Sequence, residues 1–285
     1  MSHPRTPSFA SRPPADFAGL CADVYAGTIY HLPATRTSDA LVARVREMLT
    51  SALGPDPRQA QHRMSNEALF ARLSPLRRAL FCDPEHQRPL VDLVRELGGD
   101  PGAIALDPLR LRVVRSHGYE EIPAARAVYH PHRDTWYAHP QSVITWWIPL
   151  DDLAAEETFV FHPDKFASPV PNDSEIFDYG DWVRDGWELK IGWQRPDAGL
   201  EARYPTAIGD VACGPPLGFS CRRGDHLLFA GAHFHRTLPQ TTGRTRFSLD
   251  FRMVHLPDDE AGLGAPNVDG RSRGNALRDY VRLIG

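Results

Sequence analysis

The run Arg246-Phe247-Ser248-Leu249-Asp250-Phe251-Arg252 alternates polar and apolar residues without a break. Successive side chains of an extended chain point to opposite faces, so Arg246, Ser248, Asp250 and Arg252 share one face while Phe247, Leu249 and Phe251 share the other. That pattern fits a polar barrel interior with an apolar exterior packed under helices. Other short β-type runs lie at 109–116, 127–130, 142–150, 158–162 and 226–230, separated by Pro, Gly and Asp turns. Before them come three stretches with helical spacing, at 38–53, at 58–81 with Pro75 interrupting, and at 84–97. The first follows a Thr37-Ser38-Asp39 capping cluster. Helices first and strands afterwards predict a mainly β fold, a barrel or jelly roll buttressed by N-terminal helices, rather than a parallel βαβ fold.

A length of 285 residues suits one domain of this kind. The expected division is a flexible N-terminus over 1–20, buttressing helices over 38–98, a jelly-roll core over 109–256 and a tail over 257–285 that closes with a short helix over 275–284. Hydrophobic residues make up 42% and charged residues 24%, and no stretch approaches the roughly 18 apolar residues of a membrane span. The N-terminus has no apolar core of the signal type, which predicts a soluble, cytoplasmic protein without a membrane partner. Cys21, Cys82, Cys213 and Cys221 form no C-x-x-C pair and read as reduced thiols. A net charge of −4 without a basic stripe argues against nucleic acid and for a small-molecule partner. No feature of the sequence specifies an oligomeric state.

Chemistry enters with His132-Arg133-Asp134, whose imidazole and carboxylate project from the same side of an extended chain. Downstream, residues 223–235 read as a turn, an apolar strand and a histidine pair, His233 and His235, at the strand's end. Two histidines and one carboxylate on one face of an octahedral ion leave three open positions, the arrangement of a non-haem iron(II) site that uses dioxygen. Arg246 stands eleven positions beyond His235 (246 minus 235), and an inward guanidinium beside the Ser248 hydroxyl can hold a carboxylate by a bidentate fork.

Taken in order, these residues resemble the iron(II)- and 2-oxoglutarate-dependent oxygenases of the phytanoyl-CoA dioxygenase type. The resemblance runs through His132-Arg133-Asp134, the strand and acidic turn at 146–152, the turn Phe161-His162-Pro163 and the strand 224–229. It continues through His235-Arg236-Thr237-Leu238-Pro239 and Arg246-Phe247-Ser248. It implies a double-stranded β-helix, the cupin-like jelly roll, with Fe(II) on His132, Asp134 and His235. It also implies 2-oxoglutarate chelated to the metal and held by Arg246 and Ser248 with help from Thr237, dioxygen as oxidant, and hydroxylation of a C–H bond. Halogenating relatives lack the carboxylate ligand, so Asp134 argues against halogenation. Gln240 stands where the family often has Asn, and the insertion after Phe166 is longer than the family pattern. Another metal-dependent cupin-type enzyme, an isomerase or an oxoglutarate-independent oxygenase, and a non-catalytic ligand-binding barrel stay open as alternatives.

Several neighbours compete for these roles. His130 is in phase with His132 and His233 with His235, while His139, His162 and His226 lie nearby. Spacing to Thr237 and Arg246 favours His235 over His233. Arg252 with Asp250 reads as an internal ion pair, and Arg110, Arg112 and Arg115 read as solvated charges. One of Trp146 and Trp147 must face inward. The stretch 168–220 is turn-rich and aromatic (Phe177, Tyr179, Trp182, Trp187, Trp193, Tyr204, Phe219), which predicts a lid-like insertion over the mouth whose rings also pack it down. A small polar metabolite or a natural-product intermediate fits such a lid better than a bare acyl chain.

Overall fold

The computed structural model describes residues 9–121, 129–190 and 204–282. Its helices are α1 Phe17–Tyr25, α2 Arg36–Leu53, α3 Asn66–Cys82, α4 Pro84–Glu96, α5 Gly118–Glu121, α6 Tyr179–Lys190 and α7 Leu256–Glu260. Its strands are β1 Phe9–Ala10, β2 Ile29–Leu32, β3 Ile104–Val114, β4 Val143–Pro149, β5 Phe159–Phe161, β6 His226–Ala230, β7 His235–Thr237, β8 Arg246–His255 and β9 Val281–Arg282. Seven strands form one sheet in the order β1-β2-β6-β4-β8-β3-β9, and β5 pairs with β7 in a second. Only β1 and β2 run parallel, so the large sheet is mixed. The fold is built on this sheet as expected, but among the described residues helix exceeds strand, so the helical share is larger than a mainly β chain implies.

The period-two pattern of β8 is what separates the two faces of the large sheet. Phe247, Leu249, Phe251 and Met253 join Ile144, Trp146 and Ile148 of β4 and Leu228 and Ala230 of β6 in one aliphatic core with α1 to α4. In α2, Leu41, Val42, Val45, Leu49 and Leu53 recur at steps of one, three and four and are all buried there. Each such side chain contributes about 1.5–3 kcal/mol on leaving water. On the opposite face, Trp147, Leu227 and Phe229 meet Phe159 and Phe161 of β5, so the small sheet lies over the large one across an aromatic layer.

Three local readings change. The α2 cap is Thr35, whose hydroxyl accepts from Ser38 N while Ser38 Oγ accepts from Thr35 N, two residues earlier than the start of the Thr37 cluster. Pro75 does not interrupt α3, where the neighbouring Ser74 hydroxyl donates to Phe70 O. Residues 9–25 are not a loose start. β1 adds to the sheet edge, and α1, capped by Asp16, buries Phe17, Leu20, Cys21 and Val24. The predicted strand at 127–130 lies partly outside the described residues, and so does the end of the predicted closing helix, where a short turn at Ala276–Asp279 leads into β9.

Arg133 fastens the segment that carries the H-x-D to its surroundings. Its guanidinium, 1% exposed, donates to Asp269 Oδ2 at 3.0 Å, to Lys165 O at 2.7 Å, to Ser168 O at 2.9 Å and to Ala232 O. Asp269 also accepts from Trp136 Nε1 at 2.8 Å, so the tail and the start of the insertion close on this segment. Gly231, between β6 and β7, admits no side chain, because a Cβ there would lie 2.4 Å from Val143 Cγ1 and 3.3 Å from Asp134 Cβ. Gly231→Ala is expected to cost about 1–3 kcal/mol of overpacking, read as a lower urea midpoint at unchanged slope. An unchanged midpoint would show that this junction is loosely packed.

Candidate active site

His132 and His235 are far apart in sequence but paired through their backbones. His132 N donates to His235 O and His235 N to His132 O, both at 3.0 Å. Asp134 opens a short turn, Asp134–Tyr137, that follows directly. One ligand atom from each of His132, Asp134 and His235 thus lies within 4.8 Å of the others, with the two imidazole centroids 4.5 Å apart. His233 is not in this group; its ring lies tilted against Phe166, with the centroids 4.5 Å apart.

Each donor is aimed by a partner on its far side. His132 Nδ1 is 2.9 Å from His130 O, and His235 Nδ1 is 2.9 Å from His233 O. A ring nitrogen facing a carbonyl carries the hydrogen, which leaves Nε2 of both rings with its lone pair available. Asp134 Oδ2 accepts from Thr145 Oγ1 at 2.5 Å and from Arg252 Nε at 3.1 Å. The oxygen left is Oδ1, 3.7 Å from His132 Nε2. Burial lowers both imidazoles, His132 to about 3. Burial opposes ionisation of Asp134, but Arg252 and the two histidines outweigh it and hold the carboxyl well below the ordinary range. At neutral pH the three therefore present two neutral nitrogens and one anionic oxygen, a donor set that fits a divalent first-row ion.

These donors line a cavity of about 390 Å³, whose wall also includes Thr237, Arg246, Tyr129, Tyr137 and Trp147. Arg246 is 4% exposed, and among the described residues its side chain makes one hydrogen bond, from Nη1 to Glu157 O at 3.3 Å. Its Nε is buried without a partner, and desolvation lowers its pKa to about 10. Ser248, fully buried on the same strand face, also has an unpartnered hydroxyl, although it does not itself line the cavity.

Residues 35–158 match the family model of phytanoyl-CoA dioxygenase. Over those residues the chain is similar to the phytanoyl-CoA dioxygenases. The matched part contains His132 and Asp134, whereas His235 and Arg246 lie beyond it. No curated protein matches the chain. Among solved structures, ThoJ, a non-heme monooxygenase, is 12% identical, with 78% of this chain and 71% of that chain covered and a TM-score of 0.42. SnoN, a non-heme alpha ketoglutarate dependent epimerase from nogalamycin biosynthesis, is 16% identical over 79% of this chain and 78% of its own, with a TM-score of 0.38. EvdO2 from Micromonospora carbonacea var. aurantiaca, solved with 2-oxoglutarate, is 12% identical over 80% of this chain and 86% of its own, with a TM-score of 0.37.

Around this site several charged residues have partners that the sequence did not suggest. Arg252 pairs with Asp134 and Asp107, not with Asp250. Asp250 is taken by a bidentate contact from Arg112, and Asp107 by one from Arg110. Arg110 and Arg112 are thus paired side chains of the cavity wall rather than solvated charges, and Arg115 lines the same cavity. Trp147 faces the cavity, while Trp146 stacks on Phe251 in the helix-side core and donates to His226 Nδ1 at 3.0 Å. From the insertion, Phe177, Tyr179, Trp182 and Tyr204 line the cavity, whereas Phe219 packs in the aromatic layer. Trp193 lies outside the described residues. All four cysteines are free. Among the described residues no helix is long and apolar enough to cross a membrane.

Thr145 and Arg252 are the residues that motif reading missed. Arg252 had one signal, its place on the polar face of a predicted strand, whereas Thr145 shares its face with Val143 and Trp147 and had none. A pH dependence follows from the buried imidazoles. Burial lowers His132, His139 and His233 to about 3 and His226 to about 4. Between those values and the unfolded value of about 6.5 the unfolded chain binds more protons, so stability rises with pH across that window and falls on acidification. The metal-free protein is expected to lose urea midpoint steadily from pH 6.5 to pH 4, and His233→Phe to flatten the slope. A flat profile over that range would contradict the burial of these rings.

Proposed function

We propose that the chain is an Fe(II)- and 2-oxoglutarate-dependent dioxygenase that hydroxylates a C–H bond of a small polar metabolite or natural-product intermediate on a double-stranded β-helix frame. The observation that carries this reading is the buried, carboxylate-free Arg246 opening on the same cavity as His132, Asp134 and His235. A buried charge without a counter-ion costs several kcal/mol, and other buried arginines of this region, Arg110, Arg133 and Arg252, each meet an aspartate. Arg246 thus lacks an anion that a dicarboxylate can supply.

His132 Nε2, His235 Nε2 and Asp134 Oδ1 would hold the iron, because their other polar atoms are already engaged. Arg246 would grip the far carboxylate of 2-oxoglutarate by its fork, with the Ser248 hydroxyl and Thr237 in support. Iron(II) with 2-oxoglutarate and dioxygen supplies, when bound, oxidation of a substrate C–H bond coupled to decarboxylation of the co-substrate to succinate. Thr145 and Arg252 keep Asp134 ionised and occupy Oδ2, which leaves it to bind through one oxygen. The aromatic wall of Tyr137, Phe177, Trp182 and Tyr204 excludes water from the substrate side. A cavity of about 390 Å³ suits a small molecule.

Oxygen-dependent succinate formation by the iron-loaded chain is the direct assay. Asp134→Ala, His132→Ala and His235→Ala are each expected to abolish it, whereas His233→Ala and His130→Ala retain measurable turnover, since those residues contribute only their carbonyls. Arg246→Lys is expected to raise the half-saturating 2-oxoglutarate concentration by about tenfold or more, because an ammonium cannot reproduce the fork. Succinate formation independent of Asp134, or oxoglutarate saturation indifferent to Arg246, would return the protein to the cupin-type isomerases or ligand-binding barrels.

A further inference from the structure

A second convergence of donor side chains lies at the end of β8 away from Arg246. His255 closes the strand, Asp258 follows in α7, and Cys21 comes from the middle of α1. One ligand atom of each lies within 4.8 Å of the other two. None of the three lines the 390 Å³ cavity. Cys21 is 1% exposed and belongs to the helix-side core.

Tyr25 joins Cys21 and Asp258 by hydrogen bonds, but His255 Nδ1 is left without one. His255 Nδ1 is 2.9 Å from Asp258 Oδ2, yet it is buried and makes no hydrogen bond of acceptable geometry. The nitrogen and the oxygen are close without pointing at each other, as two ligands of one ion are. Tyr25 donates its hydroxyl to the same Asp258 Oδ2 at 3.1 Å, which fixes the carboxylate from outside. Burial, and then the charge of Asp258, push the Cys21 thiol up to about 12. A divalent cation reverses that balance, since a thiolate, a carboxylate and a neutral imidazole around it sum to zero net charge.

We propose that Cys21, His255 and Asp258 form a second metal site, suited to zinc and separate from the candidate active site. One sulfur, one nitrogen and one oxygen match the borderline softness of that ion, with water completing a tetrahedron. On binding, the sulfur–metal bond forms as the S–H bond breaks and the proton leaves to solvent, with no change of oxidation state. The ion ties α1 to the junction of β8 and α7, on the helix-covered side of the large sheet. The site is independent of whether the first site binds iron.

Cobalt(II) added to the full-length chain is the probe, in a His132→Ala/His235→Ala background that removes the first site. A stoichiometric complex with thiolate-to-cobalt charge-transfer absorption is expected, and zinc should bleach it. Cys21→Ser is expected to abolish the band, while Cys82→Ser/Cys213→Ser keeps it. His255→Gln and Asp258→Asn should each weaken cobalt binding at least tenfold, and they carry the test if Cys21→Ser does not fold. Absence of the band overturns the proposal, as does a band that survives Cys21→Ser, one that follows Cys82 or Cys213, or one indifferent to both His255→Gln and Asp258→Asn.

Discussion

Asp134 is a carboxylate at 2% exposure, and the geometry of the site depends on how that buried charge is balanced. Taking a carboxylate out of water costs several kcal/mol unless partners replace the lost solvent. Arg252 and Thr145 do so from neighbouring strands β8 and β4, and both bind the same oxygen. Arg252 extends the balance to Asp107, which Arg110 grips by two bonds, while Arg112 grips Asp250. The polar face of β3 and β8 is therefore a set of alternating charges in which each aspartate has a guanidinium. Removing one member would strand another, which is why these residues are best read as a unit.

Such a network is held in register by the other side of the same strands. Every residue that points a charge toward the cavity has a neighbour that points an aliphatic or aromatic side chain into the helix-covered core, so a one-residue slip would exchange the two faces. Phe247, Leu249 and Phe251 thereby place Arg246, Ser248, Asp250 and Arg252. Arg133 does comparable work for the H-x-D, where the Asp269 carboxylate and the backbone carbonyls of Lys165, Ser168 and Ala232 hold its guanidinium and leave the segment little freedom to move. The imidazoles need nothing more than the carbonyl two residues before each of them.

Arg246 differs from the arginines around it. Its strand face is crowded with charge, but the neighbouring aspartates are already committed to Arg110, Arg112 and Arg252. A buried guanidinium without a carboxylate partner, inside a chain of net charge −4, arises from this local allocation of partners and not from overall charge.

The sequence by itself determined which residues share a face and which segments turn, because both follow from short-range geometry. Alternation along β8 and the H-x-D spacing are of this kind, and they sufficed to nominate His132, Asp134, His235 and Arg246 as one group. Short-range reasoning was weakest where the pattern was faint. α1 is nine residues with an internal glycine, and β2, Ile-Tyr-His-Leu, is buried along nearly its whole length and so shows no alternation. Partner choice was decided only by the tertiary structure. That Arg252 meets Asp134 rather than Asp250, that Trp147 rather than Trp146 faces the cavity, and that Cys21 lies beside His255 all depend on which strands and helices become neighbours. Neighbourhood is a property of the long-range packing of the whole chain, and no local spacing encodes it.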